Sequence, residues 1–412
     1  MKFRFTLLIA VILAVCHGCM NNSVNPEGPW LGVIGIDTAD RTMDVPFNMR
    51  YVTEGDTMKY FEVTNAAETI MIKEFRVAGE TINMRFPVFK GEVVAVMRND
   101  SMVGHYYPKG IRDEKVYRFY ALKGVSDRFP WYTDSAAVNV SGRWKITENP
   151  GTTDSTVMVG EFVQQGARVT GTILNTGGDY RYLQGKVSGN KFMVSAVDGA
   201  HTIIMTAGVS SDGRMSGGRF LGSPRWRSVW EAVSDPEARL PGSGTLLRTR
   251  EHALPFTFAF PDINGDTVFL SDQRFRGKVV IVQAAGTWCP NCMDETRFFN
   301  NLYGKYKDKG LEIVALCFED KTLATSRAGM ERFAVQTGAA YLFLYAGPRG
   351  KDALRKVFYN VEGQMAYPTT MYIDRSGKIR RIETGFSGPG TGEHYRQYVD
   401  ETTRFIDGLL KE

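Results

Sequence analysis

The sequence predicts a multidomain chain, with an N-terminal antiparallel all-β region of two similar modules followed by a C-terminal α/β domain. Three observations carry this. Residues 20 to 235 are cut into short β-prone runs by glycine turns, as in "VFKGEVVAVM", "VQQGARVTGTIL" and "SSDGRMSGG", with no long stretch of helical period. Beyond residue 255, apolar strands alternate with helical segments, the pattern of a βαβ unit and a mainly parallel sheet. Between them lies "SDPEARLPGSGTLLRTREHALP", whose Pro, Gly and charge mark a linker. The boundaries are a signal segment at 1–19, β modules at 20–140 and 141–235, a linker at 236–253 and the α/β domain at 254–412.

The 412 residues suit two or three domains and a sizeable core. Hydrophobic residues at 43% and charged residues at 23% exclude wholesale disorder and a polytopic membrane protein. The net charge of +5 comes from scattered basic residues, so nucleic acid is not an expected partner.

At the start, Lys2 and Arg4 precede the apolar run "TLLIAVILAV", Thr6 to Val15, which has the length of an export signal and is short for a membrane span. The following "VCHGCMNNS" resembles a bacterial lipoprotein cleavage site. Cys19, preceded by Gly18, is the residue that would carry the lipid, although Cys16 stands where Leu is usual. An ordinary signal cleaved after Gly18 is the alternative. Lipidation of Cys19 would place the mature chain on the periplasmic side of the bacterial envelope, anchored to a membrane without spanning it. No acidic sorting signal follows Cys19, so the outer membrane is the expected one.

Within the β region, Gly28-Pro29-Trp30 and Gly142-Arg143-Trp144 open two modules, and turns around Met102 and Met215 follow. The spacing of the two tryptophans matches that of the two methionines to within one residue, which indicates a duplication. Trp30 and Trp144 read as core plugs. Trp226 and Trp230, in "PRWRSVWEA", could line a binding groove or close a barrel.

In the C-terminal part, "KVVIVQAAG" is a buried strand and residues 290 to 309 form a helix. "LEIVALCFE" follows as the expected central strand. Short helices are predicted at "ERFAVQTG" and "KDALRKVF". A hairpin of "PTTMYID" and "KIRRIETGF" precedes a last helix near 392–411.

Setting Cys16 and Cys19 aside leaves Cys289, Cys292 and Cys317, too few for a disulfide scaffold. For the pair in "AAGTWCPNCMDET" three readings compete. A structural zinc needs about four ligands, and Cys317 and the isolated histidines do not supply them. A purely structural disulfide would close a very small loop and gain little. At a strand-to-helix junction the pair suits redox work. Unpaired N–H groups at the helix N-terminus stabilise a thiolate on Cys289, and Cys292 lies one turn inside to resolve a mixed disulfide. Cys317, inside an apolar strand, reads as an inert hydrophobe.

"WCPNC" after "KVVIVQAAGT" and before "YPTTMYID" resembles the thioredoxin superfamily, specifically its TlpA/ResA-like envelope thiol-disulfide oxidoreductases, over residues 254 to 412. The resemblance implies a thioredoxin fold with Cys289 as nucleophile and Cys292 as resolving thiol. Trp288 would pack beside the pair, and Pro290 and Asn291 would tune its potential. Pro368 matches the family's cis-proline, and a cis bond at Tyr367-Pro368 would turn backbone groups toward a bound substrate strand. Glu295 matches an acid near the cysteines that could exchange protons with Cys292, or it is a solvated glutamate favoured by the helix dipole. Asp294 is expected to be solvated. One departure stands out: Gln283 occupies the place of the buried aspartate of thioredoxins proper, and it cannot shuttle protons.

The implied activity is an envelope disulfide oxidoreductase, expected to work as a reductase, with no cofactor beyond its redox-active disulfide. Its partners would be protein thiols and disulfides, with a membrane electron donor. Two alternatives are a peroxiredoxin-like thiol peroxidase, for which Thr287 sits one residue too close to Cys289, and a lipoprotein whose β modules bind the main ligand.

Overall fold

The structure, a computed structural model, describes residues 26–38, 42–55, 58–109, 115–224, 226–252, 254–350 and 352–412. The segment read as an export signal, with Cys16 and the expected lipidation site Cys19, lies outside them. Among the described residues no helix is long and apolar enough to cross a membrane.

The chain first forms an antiparallel sheet of Gly28–Asp37, Thr42–Glu54, Met58–Asn65, Glu68–Ile72, Glu74–Ala78, Thr81–Arg85, Glu92–Arg98, Ser101–Tyr107 and Tyr117–Lys123. Its first strand also pairs with its last, Trp30 opposite Lys123. The two sheet ends, Glu68–Ile72 and Glu74–Ala78, are separated only by Lys73, so one chain segment bridges both edges and curls the sheet into a barrel. A second barrel repeats the plan with Gly142–Glu148, Thr156–Gln165, Arg168–Asn175, Leu183–Ser188, Lys191–Val197, Thr202–Val209, Arg214–Ser223 and Trp226–Ser234. Here Trp144 lies opposite Ser234 and closes it. A barrel of about eight strands is just wide enough for side chains to fill. The first is packed by Trp30, Phe47, Phe61 and Phe119, leaving about 10 Å³, and the second by Trp144, Phe162, Phe192 and Trp230.

The duplication extends to atoms. Gly28 and Gly142 both take positive φ, 107° and 116°, where a side chain would be strained. Each lets the chain swing back so that the indole two residues on reaches a carbonyl. Trp30 Nε1 donates to Pro26 O at 2.7 Å and Trp144 Nε1 to Val140 O at 2.9 Å. Met102 and Met215 are both buried in the penultimate strand of their barrels. Trp230 is a core residue, whereas Trp226 stays 38% exposed and packs on Phe220 and Tyr180. The barrels lock together through Ser195 Oγ to Pro46 O at 2.6 Å, Asn65 Nδ2 to Val197 O at 3.0 Å and the buried Arg128 to Ser195 O at 2.9 Å.

The segment read as a linker at 236–253 is docked rather than free. Ala238 is buried, and Leu247–Thr249 pairs antiparallel with Val361–Gly363 in the α/β domain. Its polar composition hides two leucines, Leu246 and Leu247, that pack on that domain's core.

The α/β domain contains β1 (Val279–Ala285), α1 (Pro290–Tyr306), β2 (Leu311–Glu319), α2 (Leu323–Thr337), β3 (Leu342–Pro348), β4 (Thr369–Ile373), β5 (Ile379–Thr384) and α3 (Glu393–Lys411). The sheet order is β3-β2-β1-β4-β5, with β1 parallel to β2, β2 to β3, and the β4–β5 hairpin antiparallel. The central strand is therefore β1, not β2. Both are buried on both faces, so apolar content cannot rank them. Alternate residues serve two cores: Ile281, Ile313 and Cys317 face α1, while Val280, Val282 and Leu316 face Phe256 and Phe258.

Replacing either buried tryptophan, Trp30→Ala or Trp144→Ala, is expected to cost about 3–5 kcal/mol in urea unfolding, because each empties a filled barrel. A cost below about 1 kcal/mol at one of them would contradict their equivalence.

Candidate active site

β1 ends at Ala285, and the chain turns through Gly286, where a Cβ would collide with the Trp288 indole. Cys289 then caps α1 with extended backbone, φ −106° and ψ 111°, and Pro290 enters the first turn, where no amide hydrogen is needed. Cys289 and Cys292 are disulfide-bonded with Cα atoms 5.2 Å apart. The Cys292 N–H donates to Cys289 Sγ at 3.1 Å. A thiolate released at Cys289 would keep that donor and the positive end of α1, both of which lower a thiol pKa. Cys289 is 5% exposed and Cys292 fully buried, so attack from outside can come only at Cys289.

The peptide between Tyr367 and Pro368 is cis, and the Tyr367 carbonyl oxygen lies 3.8 Å from Cys289 Sγ. Trp288 is held by Nε1 donating to Phe318 O at 2.8 Å and by edge-on contact with the Tyr367 ring at 5.2 Å. The guanidinium of Arg349 lies over the Trp288 ring, 4.4 Å from its centroid. The Tyr367 hydroxyl is buried with no hydrogen-bond partner among the described residues. Thr287, the residue weighed for peroxidase chemistry, gives both its N–H and its hydroxyl to Glu319, at 2.9 and 2.8 Å.

Glu295 is 1% exposed, one turn along α1 from Cys292. Gln283 Nε2 donates to it at 2.8 Å, Thr370 Oγ1 at 3.1 Å and Tyr398 OH at 3.2 Å. Burial pushes its pKa up to about 8, against the pull of those donors. The solvated alternative for Glu295 does not hold. Gln283, which cannot titrate, orients the acid that can, and the hydroxyls of Thr296 and Tyr341 fix its own amide oxygen at 3.3 and 3.4 Å.

Asp294 is also not solvated. It is 5% exposed and forms an ion pair with Arg181 of the second barrel. Burial raises its pKa to about 6 against the attraction of Arg181 and Arg297. Arg181 in turn binds Glu68 of the first barrel and sits 3.8 Å from Asp198 of its own. Beside it, Asn291 Nδ2 donates to Asp179 O at 3.2 Å, and Gly388 N–H donates to Asp179 Oδ2 at 2.6 Å. Sequence reasoning missed Arg181, Asp179, Glu319 and Tyr398. Only Thr370, inside the quoted Pro-Thr-Thr, lay in a motif that could have drawn notice. Cys317 is buried in the α1-facing core and burial raises its thiol well above the usual range, as expected of an inert residue.

The Redoxin family profile matches residues 250–398. The thiol-disulfide oxidoreductase ResA of Bacillus thuringiensis subsp. konkukian is 31% identical over 146 residues, which are 35% of this chain and 75% of that protein. ResA of Geobacillus thermodenitrificans is 32% identical over 143 residues, 35% of this chain and 72% of that one. A solved thiol:disulfide interchange protein of the thioredoxin family from Chlorobium tepidum superposes with a TM-score of 0.30 and 18% identity, over 38% of this chain and 98% of that chain.

The raised pKa of Glu295 makes stability depend on pH with a defined sign. The folded chain keeps this proton up to about pH 8, while the unfolded one releases it near 4.5. Between those values the native state binds more protons, so its stability falls as pH rises. The unfolding free energy of Glu295→Gln should fall less steeply than that of the parent from pH 5 to 8, and parallel profiles would refute the assignment. Cys317→Ala should leave disulfide exchange intact in a turnover assay, since its thiol faces the core; loss of turnover in a folded variant would give it a redox part.

Proposed function

We infer the function from one premise: this chain belongs to the TlpA/ResA-like thiol-disulfide oxidoreductases of the thioredoxin superfamily. It is accordingly a protein-disulfide oxidoreductase that acts on protein thiols, and we propose that it works as a reductase outside the cytoplasm. The observation that carries the site assignment is the Cys292 N–H on Cys289 Sγ at the N-terminus of α1.

In the reduced chain the Cys289 thiolate attacks one sulfur of a substrate disulfide and expels the other as a thiolate, forming a mixed disulfide. Cys292 then gives its proton to Glu295 in the fraction of chains where that acid is ionised, a fraction that grows as pH approaches its pKa of about 8, close to that of an ordinary thiol, about 8.5. The Cys292 thiolate attacks Cys289 Sγ, and the substrate leaves with its second thiolate, which takes up a proton. Two electrons have passed to the substrate, and the chain holds the Cys289–Cys292 disulfide, the state of this structure. The pair carries the electrons itself, without a further cofactor, and a membrane dithiol donor would regenerate it. Pro290 and Asn291, between the cysteines, set the potential. Tyr367 and Pro368 present backbone beside the attacking sulfur. The apolar run Thr6 to Val15 and the Gly18-Cys19 step support export and a lipid anchor on the periplasmic side, and the lack of an acidic sorting signal after Cys19 is the ground for proposing the outer membrane.

The test is the reduction potential of the pair in the full chain, equilibrated in thiol buffers and read by thiol trapping. A value at or below about −250 mV is expected of a reductase, and one near about −120 mV would make the chain an oxidant. Cys292→Ser should accumulate a mixed disulfide with substrate and Cys289→Ser should form none; capture by Cys289→Ser would reverse the two roles.

A further inference from the structure

Three loops of the α/β domain lie together at the redox site: residues 288–291, the approach to Pro368, whose Tyr367 carbonyl lies 3.8 Å from Cys289 Sγ, and the segment after β5, where Gly385 N–H donates to Pro368 O at 2.8 Å. The second barrel lays one of its own loops, 175–181, across all three. Asn291 in the first donates to Asp179 O at 3.2 Å. In the second, Gln364 Nε2 donates to Thr176 Oγ1 at 3.0 Å. In the third, Gly388 N–H donates to Asp179 Oδ2 at 2.6 Å, and Gly385 packs so closely on the Thr176–Gly178 backbone that a Cβ would meet it at 2.9 Å.

The loop is built for this contact. Gly178 is buried with φ 139°, and a Cβ there would collide with the Asn291 amide. Asp179 Oδ1 accepts the Arg181 N–H at 2.5 Å, which fixes the turn, and Arg181 is pinned by carboxylates from all three units. On the other flank of the sulfur, Trp288 stays partly open under the exposed guanidinium of Arg349, beside the unpartnered Tyr367 hydroxyl. A substrate therefore meets Cys289 along a rim bounded by barrel on the Asn291 side. An extended segment can lie along such a rim with one disulfide, whereas the broad convex surface of a folded protein meets the barrel first.

We infer that loop 175–181 is a specificity-determining wall of the redox site, which admits disulfides on extended polypeptide and turns away those on folded surfaces. It rests on the disulfide exchange at Cys289 proposed above. The chemistry is unchanged by the wall; only the approach is.

The test compares kcat/KM of the full chain for an extended peptide carrying a glutathione mixed disulfide and for insulin, a compact protein disulfide. The parent should favour the peptide. Gly178→Val, which must push the loop off Asn291, and Asp179→Ala, which releases Gly388, should each raise the insulin-to-peptide ratio by about ten-fold, the equivalent of one lost contact of about 1.4 kcal/mol. An unchanged ratio in the variants that fold overturns the wall, as does a parent that takes both substrates equally well. A parent that reduces neither fails the redox assignment instead.

Discussion

The buried guanidinium of Arg181 is the joint on which the arrangement of three units depends. It meets Glu68 from the first barrel, Asp198 from the second and Asp294 from the redox helix, with its side chain 6% exposed. Such a cluster is a poor source of stability, because desolvating each ion costs several kcal/mol that attraction only repays. Its worth lies in position. Removing one partner would leave an uncompensated buried charge, at about 3–5 kcal/mol, so few other arrangements of the units compete with this one. Arg181 also holds a left-handed backbone, φ 55°, which a non-glycine residue keeps only where its surroundings insist.

Two adjacent acids on α1 then divide the labour. Successive helical residues point about 100° apart, so Asp294 turns toward the barrels while Glu295 turns into the sheet. Asp294 finds a cation and serves as an anchor. Glu295 finds an amide and hydroxyls, Gln283, Thr370 and Tyr398, which orient a carboxyl without neutralising it. Burial raises both, and the neighbouring Arg181 and Arg297 hold Asp294 at about 6 while Glu295, with no cation beside it, reaches about 8. The same desolvation that would be a defect elsewhere favours the protonated carboxyl one turn along the helix from Cys292.

What could be read from the residues follows the range of the interactions. The strand-to-helix junction, Cys289, Cys292 and the Tyr367-Pro368 bond are declared by local motifs. The pairing of Trp30 with Trp144 is visible because a repeat is a comparison of the chain with itself, and the structure extends it to matching indole hydrogen bonds. The order of β1 and β2 was not legible, since two strands buried on both faces look alike. Asp294 looked like a surface acid because its partner stands more than a hundred residues away, in a Gly-Gly-Asp turn that resembles any other turn. The strand at Leu247 was masked by polar neighbours, and its pairing needs a partner supplied only by the folded domain.

The first strand of each barrel hydrogen-bonds to its last, Trp30 beside Lys123 and Trp144 beside Ser234. Each module therefore receives and releases the chain at neighbouring points of its wall. A unit with that property behaves as a cassette: a gene can copy it in tandem, and the newcomer lengthens the protein without rerouting the chain through existing cores. Once copied, each repeat is at liberty to diverge: the second sets the turn at Gly178 and Asp179 against the redox helix, while the first sends Glu68 to Arg181.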